Sequence, residues 1–244
     1  MSIVAFIPAR GGSERIPGKN IRELNGHPLL AYAIAGAKRA RIFDGIYVST
    51  EDKKIAEMAK HYGAEVIDRP AMYAAADSPD IEWVRHAAER AFTGRMHYWA
   101  DLIVILRPTN PFRTWETIRR AISEWEVRTK ISTYSSMRSV EVVGQHPNKM
   151  WRSEFEGSDR IIKPYAITGW HDLPTQSLPR TFVQNGCIQS CYKSVLGSFS
   201  NYTGTKVAPF FTEGYEGLDL NTEEDWILAE ALLERGLATL EVIE

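Results

Sequence analysis

Leu29, Leu30, Ala33, Ile34 and Ala37 recur three and four positions apart, which places them on one buried stripe of a helix. The same period returns in Trp115, Ile118, Ile122 and Trp125, with Thr114 ahead of them as a candidate N-cap. A third stripe, Trp226, Ala229, Leu232 and Leu233, follows Thr222 and Asp225, whose spacing fits a capping box. Further helices are expected near 52–62 and 80–93, and short strands at 3–8, 45–49 and 64–67. Leu102-Ile103-Val104-Ile105-Leu106 has no polar position, as suits a central parallel strand covered on both faces. Strands return near 186–193 and 205–211. Alternating strands and helices predict an α/β chain with a doubly wound, mostly parallel sheet.

One stretch escapes this regularity. Residues 138–183 hold His146-Pro147, Trp151, Pro164, Pro174 and Pro179 in short irregular runs without a dominant period. They read as a small lid or dimerisation excursion within a single domain spanning 1–244. Trp151, Tyr165, Trp170 and Phe182 fit the packing of a lid or a subunit contact. His146 has no acid or nucleophile spaced to partner it, so a structural role is expected.

Composition narrows the function classes. With 244 residues, 44% hydrophobic and 25% charged, the chain has the make-up of an ordinary globular protein. A net charge of −2 gives no electrostatic reason to expect nucleic acid as a partner. The apolar run at 3–7 is too short for a signal-peptide core and lacks a basic leader. No stretch approaches the ~20 apolar residues that span a bilayer. A cytoplasmic protein with no membrane partner is expected. Cys187 and Cys191 form neither a CxxC pair nor a Cys/His cluster and read as reduced packing thiols.

The densest chemistry follows the first strand: Ala9-Arg10-Gly11-Gly12-Ser13-Glu14-Arg15-Ile16-Pro17-Gly18-Lys19-Asn20. Paired glycines let backbone N–H groups approach an anion, and Arg10, Arg15 and Lys19 supply cations. Ligands of open α/β sheets bind beyond the carboxyl ends of the strands, where this loop lies, so a polyphosphate is the natural guest. The usual nucleoside-triphosphatase loop is excluded, because five residues separate Gly12 from Gly18 and Asn20 stands where Ser or Thr is required. A solvated glycine loop with incidental basic residues is the competing reading.

The run IPARGGSERIPGKNI resembles the signature loop of the acylneuraminate cytidylyltransferases, which make CMP-activated sialic and related nonulosonic acids. The likeness continues in family order through Val48–Asp52, Asp68-Arg69-Pro70, Leu106–Arg113, His146–Trp151, Gln184–Cys187 and Leu218–Asp225. The resemblance implies a Rossmann-like nucleotidyltransferase fold, CTP as substrate, a small acidic acceptor and a homodimer. It implies that Arg10 and Lys19 contact the triphosphate and that Asn20 helps hold the nucleotide, within a site taking in Ala9, Gly11, Gly12, Ser13 and Arg15. A second loop, from Arg69-Pro70 to Asp77-Ser78, would border the nucleotide, although Asp77 is equally placed to cap the helix at 80. Relatives carry an Asp-x-Asp pair for Mg²⁺. Here Asp219 matches its first position and Asn221, a neutral oxygen donor, replaces the second. The two could instead simply shape the turn before Thr222. The catalytic set implied is therefore Arg10, Lys19 and Asp219, with Asp219 and Asn221 as metal candidates.

The acceptor side departs from the family pattern. Arg107 stands where Gln is usual, and Thr175 and Val183 fall near two customary arginines, with Gln176 retained and Arg180 between. Arg107, Thr109, Gln176, Arg180 and Asn185 are the acceptor-binding candidates, and the shifted arginines suggest an anionic acceptor held in a different pose. The expected reaction is transfer of CMP from CTP to a nonulosonic or similar sugar acid with release of pyrophosphate. Two alternatives remain: CTP-dependent activation of another sugar acid or a phosphonate, and a catalytically weak nucleotide-binding regulator, the latter motivated by Asn221.

Overall fold

β1 (Ile3–Pro8) alternates cleanly between two cores: Ile3, Ala5 and Ile7 enter one, Val4 and Phe6 the other. A strand with both faces buried must lie inside a sheet covered on both sides. The protein, a computed structural model describing residues 1–93 and 100–243, builds that sheet from parallel crossovers. After β1 come the two-residue strands β2 (Glu23–Leu24) and β3 (His27–Pro28), then α1 (Leu29–Ala40), β4 (Gly45–Thr50), α2 (Lys53–His61) and β5 (Glu65–Asp68). α3 (Asp80–Thr93), β6 (Leu102–Ile105), α4 (Trp115–Ile131) and β7 (Ser136–Val142) follow. β8 (Trp151–Glu156), β9 (Asp159–Pro164), β10 (Phe182–Tyr192), α5 (Lys193–Ser198), β11 (Val207–Phe211) and α6 (Glu223–Glu234) complete the order.

The seven-stranded sheet runs β11-β7-β10-β6-β1-β4-β5. β1 pairs parallel with β4 and β6, β4 pairs parallel with β5, and β10 lies antiparallel to β6. α1, α2 and α4 bury Leu30, Ile55, Ile118 and Trp125 on one face, while α3 and α5 bury Trp83, Val84 and Leu196 on the other. This is the doubly wound, mostly parallel sheet expected from the sequence. A third cluster joins Ile16 and Leu29 to Leu220, Trp226 and Leu232, tying the loop after β1 to α6.

Helix ends follow local chemistry. The Asp52 carboxylate caps α2 by accepting the Lys54 and Ile55 N–H groups at 2.8 and 3.0 Å. Thr222 and Asp225 form the anticipated capping box of α6. Thr114 corrects the expectation placed on it: it occupies the N-cap position of α4 but makes no side-chain cap bond. The buried Glu241 carboxylate instead accepts the Trp115 N–H at 2.7 Å and also pairs with Arg39. Glu241→Ala should therefore lower stability by about 2–3 kcal/mol, because it strands a helix-terminal donor and removes a charged hydrogen bond. Urea unfolding of the two proteins measures this, and a difference below ~0.5 kcal/mol would mean that water or Thr114 replaces the cap.

By its internal contacts the chain divides into Met1–Ser139 with Asn185–Glu244, and Val140–Gln184. The second unit holds an element that the sequence pattern did not reveal. β8 and β9 pair antiparallel over six positions, closed by the two-residue turn Gly157-Ser158 with Gly157 at φ 63°. Within it His146 serves structure: Nδ1 accepts the Asn148 N–H at 3.2 Å, so Nε2 carries the proton and donates to the Pro179 carbonyl at 2.9 Å. No helix among the described residues is long and apolar enough to cross a membrane.

Candidate active site

The loop after β1 is held from behind. Ile16 is almost wholly buried in the third core cluster, and the Asn20 amide donates to the Arg10 carbonyl at 2.9 Å. The Gly11 N–H donates to Glu51 Oε1 at 2.7 Å, where a Cβ on Gly11 would lie 2.8 Å from Asp52 Oδ2. Only glycine permits that approach. Gly12 faces open space, leaving its backbone accessible to a ligand. The Ser13 N–H returns to the Gly11 carbonyl at 2.9 Å, and Ala9 is buried, its N–H bonded to the Ser49 carbonyl at 3.0 Å.

The segment before α6 meets this loop through the backbone of Leu220. Its side chain is buried, its N–H donates to the Thr109 carbonyl at 2.8 Å, and its carbonyl accepts Lys19 Nζ at 2.8 Å. Its neighbours Asp219 and Asn221 join the same group. Asn221 Nδ2 donates to Asp219 Oδ2 at 2.7 Å, while Asn221 Oδ1 accepts Arg15 at 3.1 Å and lies 3.5 Å from Lys19 Nζ. Asp219 Oδ1 is buried with no hydrogen-bond partner among the described residues. Arg10, Arg15 and Lys19, within ten residues of each other, thus form one electrostatic cluster with the distant Asp219.

That cluster is strained in charge. Burial holds the Lys19 ammonium below its ordinary pKa; Asp219 opposes the shift, while Arg15 and Arg10 add to it. A polyphosphate would relieve this crowding of cations. Deeper in, Arg69 is buried and pushed down to about 10 by desolvation, with Glu51 and Asp80 opposing. It donates to the Ser49 hydroxyl and carbonyl at 3.0 and 2.9 Å and lies over the Trp83 ring. Arg10 Nη1 comes within 3.5 Å of the Ala74 carbonyl in the second loop. There Ser78 bonds Glu82 at 2.6 Å, and Asp77 is exposed.

The loop after β6 forms the other wall. Arg107 pairs with Asp80. Asn110, fully enclosed, donates to the carbonyls of Asn185, Gly217 and Leu218 at 3.1–3.3 Å. The Asn185 side chain donates to Thr212 at 2.8 Å. Arg113 is buried and donates to the carbonyls of Arg107 and Cys187 at 3.0 and 2.8 Å, and desolvation lowers its pKa to about 10. Gln176 and Arg180 belong to the second unit, where Gln176 is exposed on a short turn and Arg180 lies against the Phe182 ring. Residue pattern alone missed Glu51, Asp80, Asn110 and Arg113 as builders of the site. All but Asp80 lie within the family-like stretches, yet side chains that serve the backbone carry no distinctive spacing.

Among the described residues no three His, Cys, Asp or Glu side chains converge on a metal position. One orphaned carboxylate oxygen beside a cluster of cations does fit Mg²⁺, which usually takes one or two carboxylates and completes its shell with phosphates and water.

A doubly wound sheet whose first loop gathers cations beside an acidic residue is an arrangement suited to a polyphosphate ligand. The cytidylyltransferase family model matches residues 4–149, and the chain belongs to that family. It is 32% identical over 237 residues to the CMP-N,N'-diacetyllegionaminic acid synthase of Legionella pneumophila, covering 96% of this chain and 97% of that one. It is 26% identical over 240 residues to the N-acylneuraminate cytidylyltransferase of Escherichia coli, covering 96% of this chain and about half, 52%, of that longer protein. The solved structure of a CMP:2-keto-3-deoxy-manno-octonic acid synthetase complexed with CTP superposes with a TM-score of 0.67 at 13% identity, covering 97% of this chain and 100% of that one. At that identity the superposition speaks for the fold.

Proposed function

We propose that the protein transfers CMP from CTP to a hydroxyl of a nonulosonic-type sugar acid and releases pyrophosphate. The observation that carries this reading is the meeting of Arg15 and Lys19 with Asp219 and Asn221 around Leu220. End-to-end likeness to a synthase of a CMP-nonulosonic acid supports it. The acceptor hydroxyl oxygen attacks the α-phosphorus and releases its proton to solvent, and the α-phosphorus–oxygen bond to the β-phosphate breaks with its electrons leaving on pyrophosphate. Lys19, Arg10 and Arg15 neutralise the phosphate oxygens, where catalysis depends on positioning and fixed charge. The open backbone at Gly12 leaves room for a phosphate beside these cations. Asp219 would hold Mg²⁺ through Oδ1, and the ion would supply charge stabilisation at the phosphates. Asn221 Oδ1 already serves Arg15, so Asn221 reads as the link between the cations and Asp219.

The test is pyrophosphate release with CTP, ATP and GTP in turn, using Mg²⁺ and a panel of sugar acids and phosphonates. CTP should be preferred by at least about tenfold in kcat/KM, the scale of one or two discriminating hydrogen bonds. Equal turnover with purine triphosphates, or none with any acceptor, would overturn the reading. Use of CTP fits a cytoplasmic enzyme. A homodimer is also expected, built partly on the second unit, where Phe155, Ile162 and Tyr165 are more than 60% exposed. Light scattering at micromolar concentration should give twice the 27.6 kDa chain mass, and a monomer would refute it.

A further inference from the structure

We propose that Asp80 is a specificity-determining positioning residue: it pins Arg107 so that the guanidinium meets a neutral oxygen of the acceptor, its acylamino carbonyl, and not its carboxylate. This rests on the sugar-acid reading above and deepens it.

Asp80, the first residue of α3, meets three donors. Its Oδ2 accepts Arg107 Nη2 and lies 3.0 Å from the Tyr202 hydroxyl, and its Oδ1 accepts Trp83 Nε1 at 2.9 Å. Burial alone would raise its carboxyl pKa, but Arg107 and these hydrogen bonds outweigh burial and hold it below the usual range. Asp80 is thus a fixed anion whose two oxygens are already engaged by three donors. Arg107 is held from a second side. Gly186 sits at φ +72°, and a Cβ there would lie 3.4 Å from Arg107 Cδ, so the β10 backbone closes on the stem of the arginine.

The remaining edge of Arg107 is the functional one. Asp80 is its side-chain hydrogen-bond partner among the described residues, and a guanidinium carries five N–H groups in a planar fork. The side chain keeps about a quarter of its surface exposed, and the Asp219 charge is among those that act on it. Part of the guanidinium is thus open to solvent, in a neighbourhood where the Asp219 charge is felt. Its own charge is already matched by Asp80, which blunts its attraction for another carboxylate and leaves directional N–H groups to read a carbonyl oxygen. Arg138 does not take its place. It is buried, lies 4.3 Å from the Tyr202 ring centroid and donates to Thr203 at 2.8 Å. A site built to hydrogen-bond one group discriminates sharply against analogues that lack it.

The experiment is steady-state kinetics on the wild type, Asp80→Asn, Arg107→Gln and the double variant. The acceptors are N-acetylneuraminic acid, which bears an acylamino group, and 2-keto-3-deoxy-octonic acid, which does not. Asp80→Asn removes the negative charge and one of the two acceptor oxygens, so the anchor on Arg107 is weakened. KM for the acylamino acid should rise about tenfold or more, KM for CTP should stay within about twofold, and selectivity between the acids should fall by a similar factor. The double variant should be no worse than Arg107→Gln alone, because Asp80 acts through the guanidinium that this variant already lacks, and losses that add would overturn the proposal. If Asp80→Asn leaves selectivity unchanged and only lowers Tm, or shifts both KM values together, Asp80 is merely structural and the proposal falls. Arg107→Gln matching the wild type in acceptor KM and selectivity would also overturn it. A wild type that turns over neither acid removes the sugar-acid reading itself, a result separate from any variant effect.

Discussion

Replacing Lys19 with alanine is expected to slow CMP transfer by about two to three orders of magnitude while leaving the fold intact, the scale for one preorganised donor at developing charge. Lys19 is no part of a core cluster, and its ammonium reaches the Leu220 carbonyl at 2.8 Å and lies 3.5 Å from Asn221 Oδ1. Burial and the neighbouring Arg15 and Arg10 make its charge costly in the free protein, so alanine should leave Tm unchanged or slightly higher. With a triphosphate in the loop the balance reverses, since phosphate oxygens supply the missing counter-charge. The loss should fall equally on kcat and kcat/KM if the contact tightens in the transition state, and mainly on KM if it only holds CTP. Pyrophosphate release at saturating and limiting CTP distinguishes these cases. A variant within tenfold of the wild type at both would show that the loop after β1 is not the phosphate cradle.

The parallel half was legible because its helices carry a burial period and its central strand a short unbroken apolar run, and a chain that alternates such segments has few ways to fold. The β8–β9 hairpin was not, because both of its strands are largely exposed and so lack the alternation that a half-buried strand displays. Its one sign was Gly157-Ser158, a two-residue turn. Asn25-Gly26, both at positive φ, was an equally clear hairpin signal between β2 and β3, and nothing in the periodicity around it drew attention there. The phosphate loop stood out because cations and glycines cluster locally. The Leu220 clasp and the Asp80–Arg107 pair join residues 201 and 27 positions apart, respectively, through Lys19 and Arg107, and no sequence spacing encodes such meetings. Thr114 shows the reverse failure: its residue type suited a cap, but Glu241, far along the chain, supplied the acceptor.

Asp219→Asn should reduce turnover by about three orders of magnitude, the several kcal/mol that a bound metal contributes at the phosphates. Asparagine nearly preserves shape and keeps an oxygen for Asn221 Nδ2, so only the negative charge and the orphaned Oδ1 acceptor change. Raising magnesium should not restore the rate if Asp219 is the protein's main hold on the ion. The companion change is Asn221→Asp, which sets a second carboxylate beside Asp219, where Asn221 Nδ2 now lies 2.7 Å from Asp219 Oδ2. Two carboxylates that close repel unless a cation lies between them. Asn221→Asp should therefore gain more in Tm from added magnesium than the wild type does, and should reach half-maximal turnover at lower magnesium. Melting curves and magnesium titrations at fixed CTP check both variants. If Asp219→Asn keeps its rate, Asp219 does not hold the ion. If Asn221→Asp responds to magnesium as the wild type does, position 221 faces only Arg15 and Lys19, and the metal is held by Asp219 and the nucleotide alone.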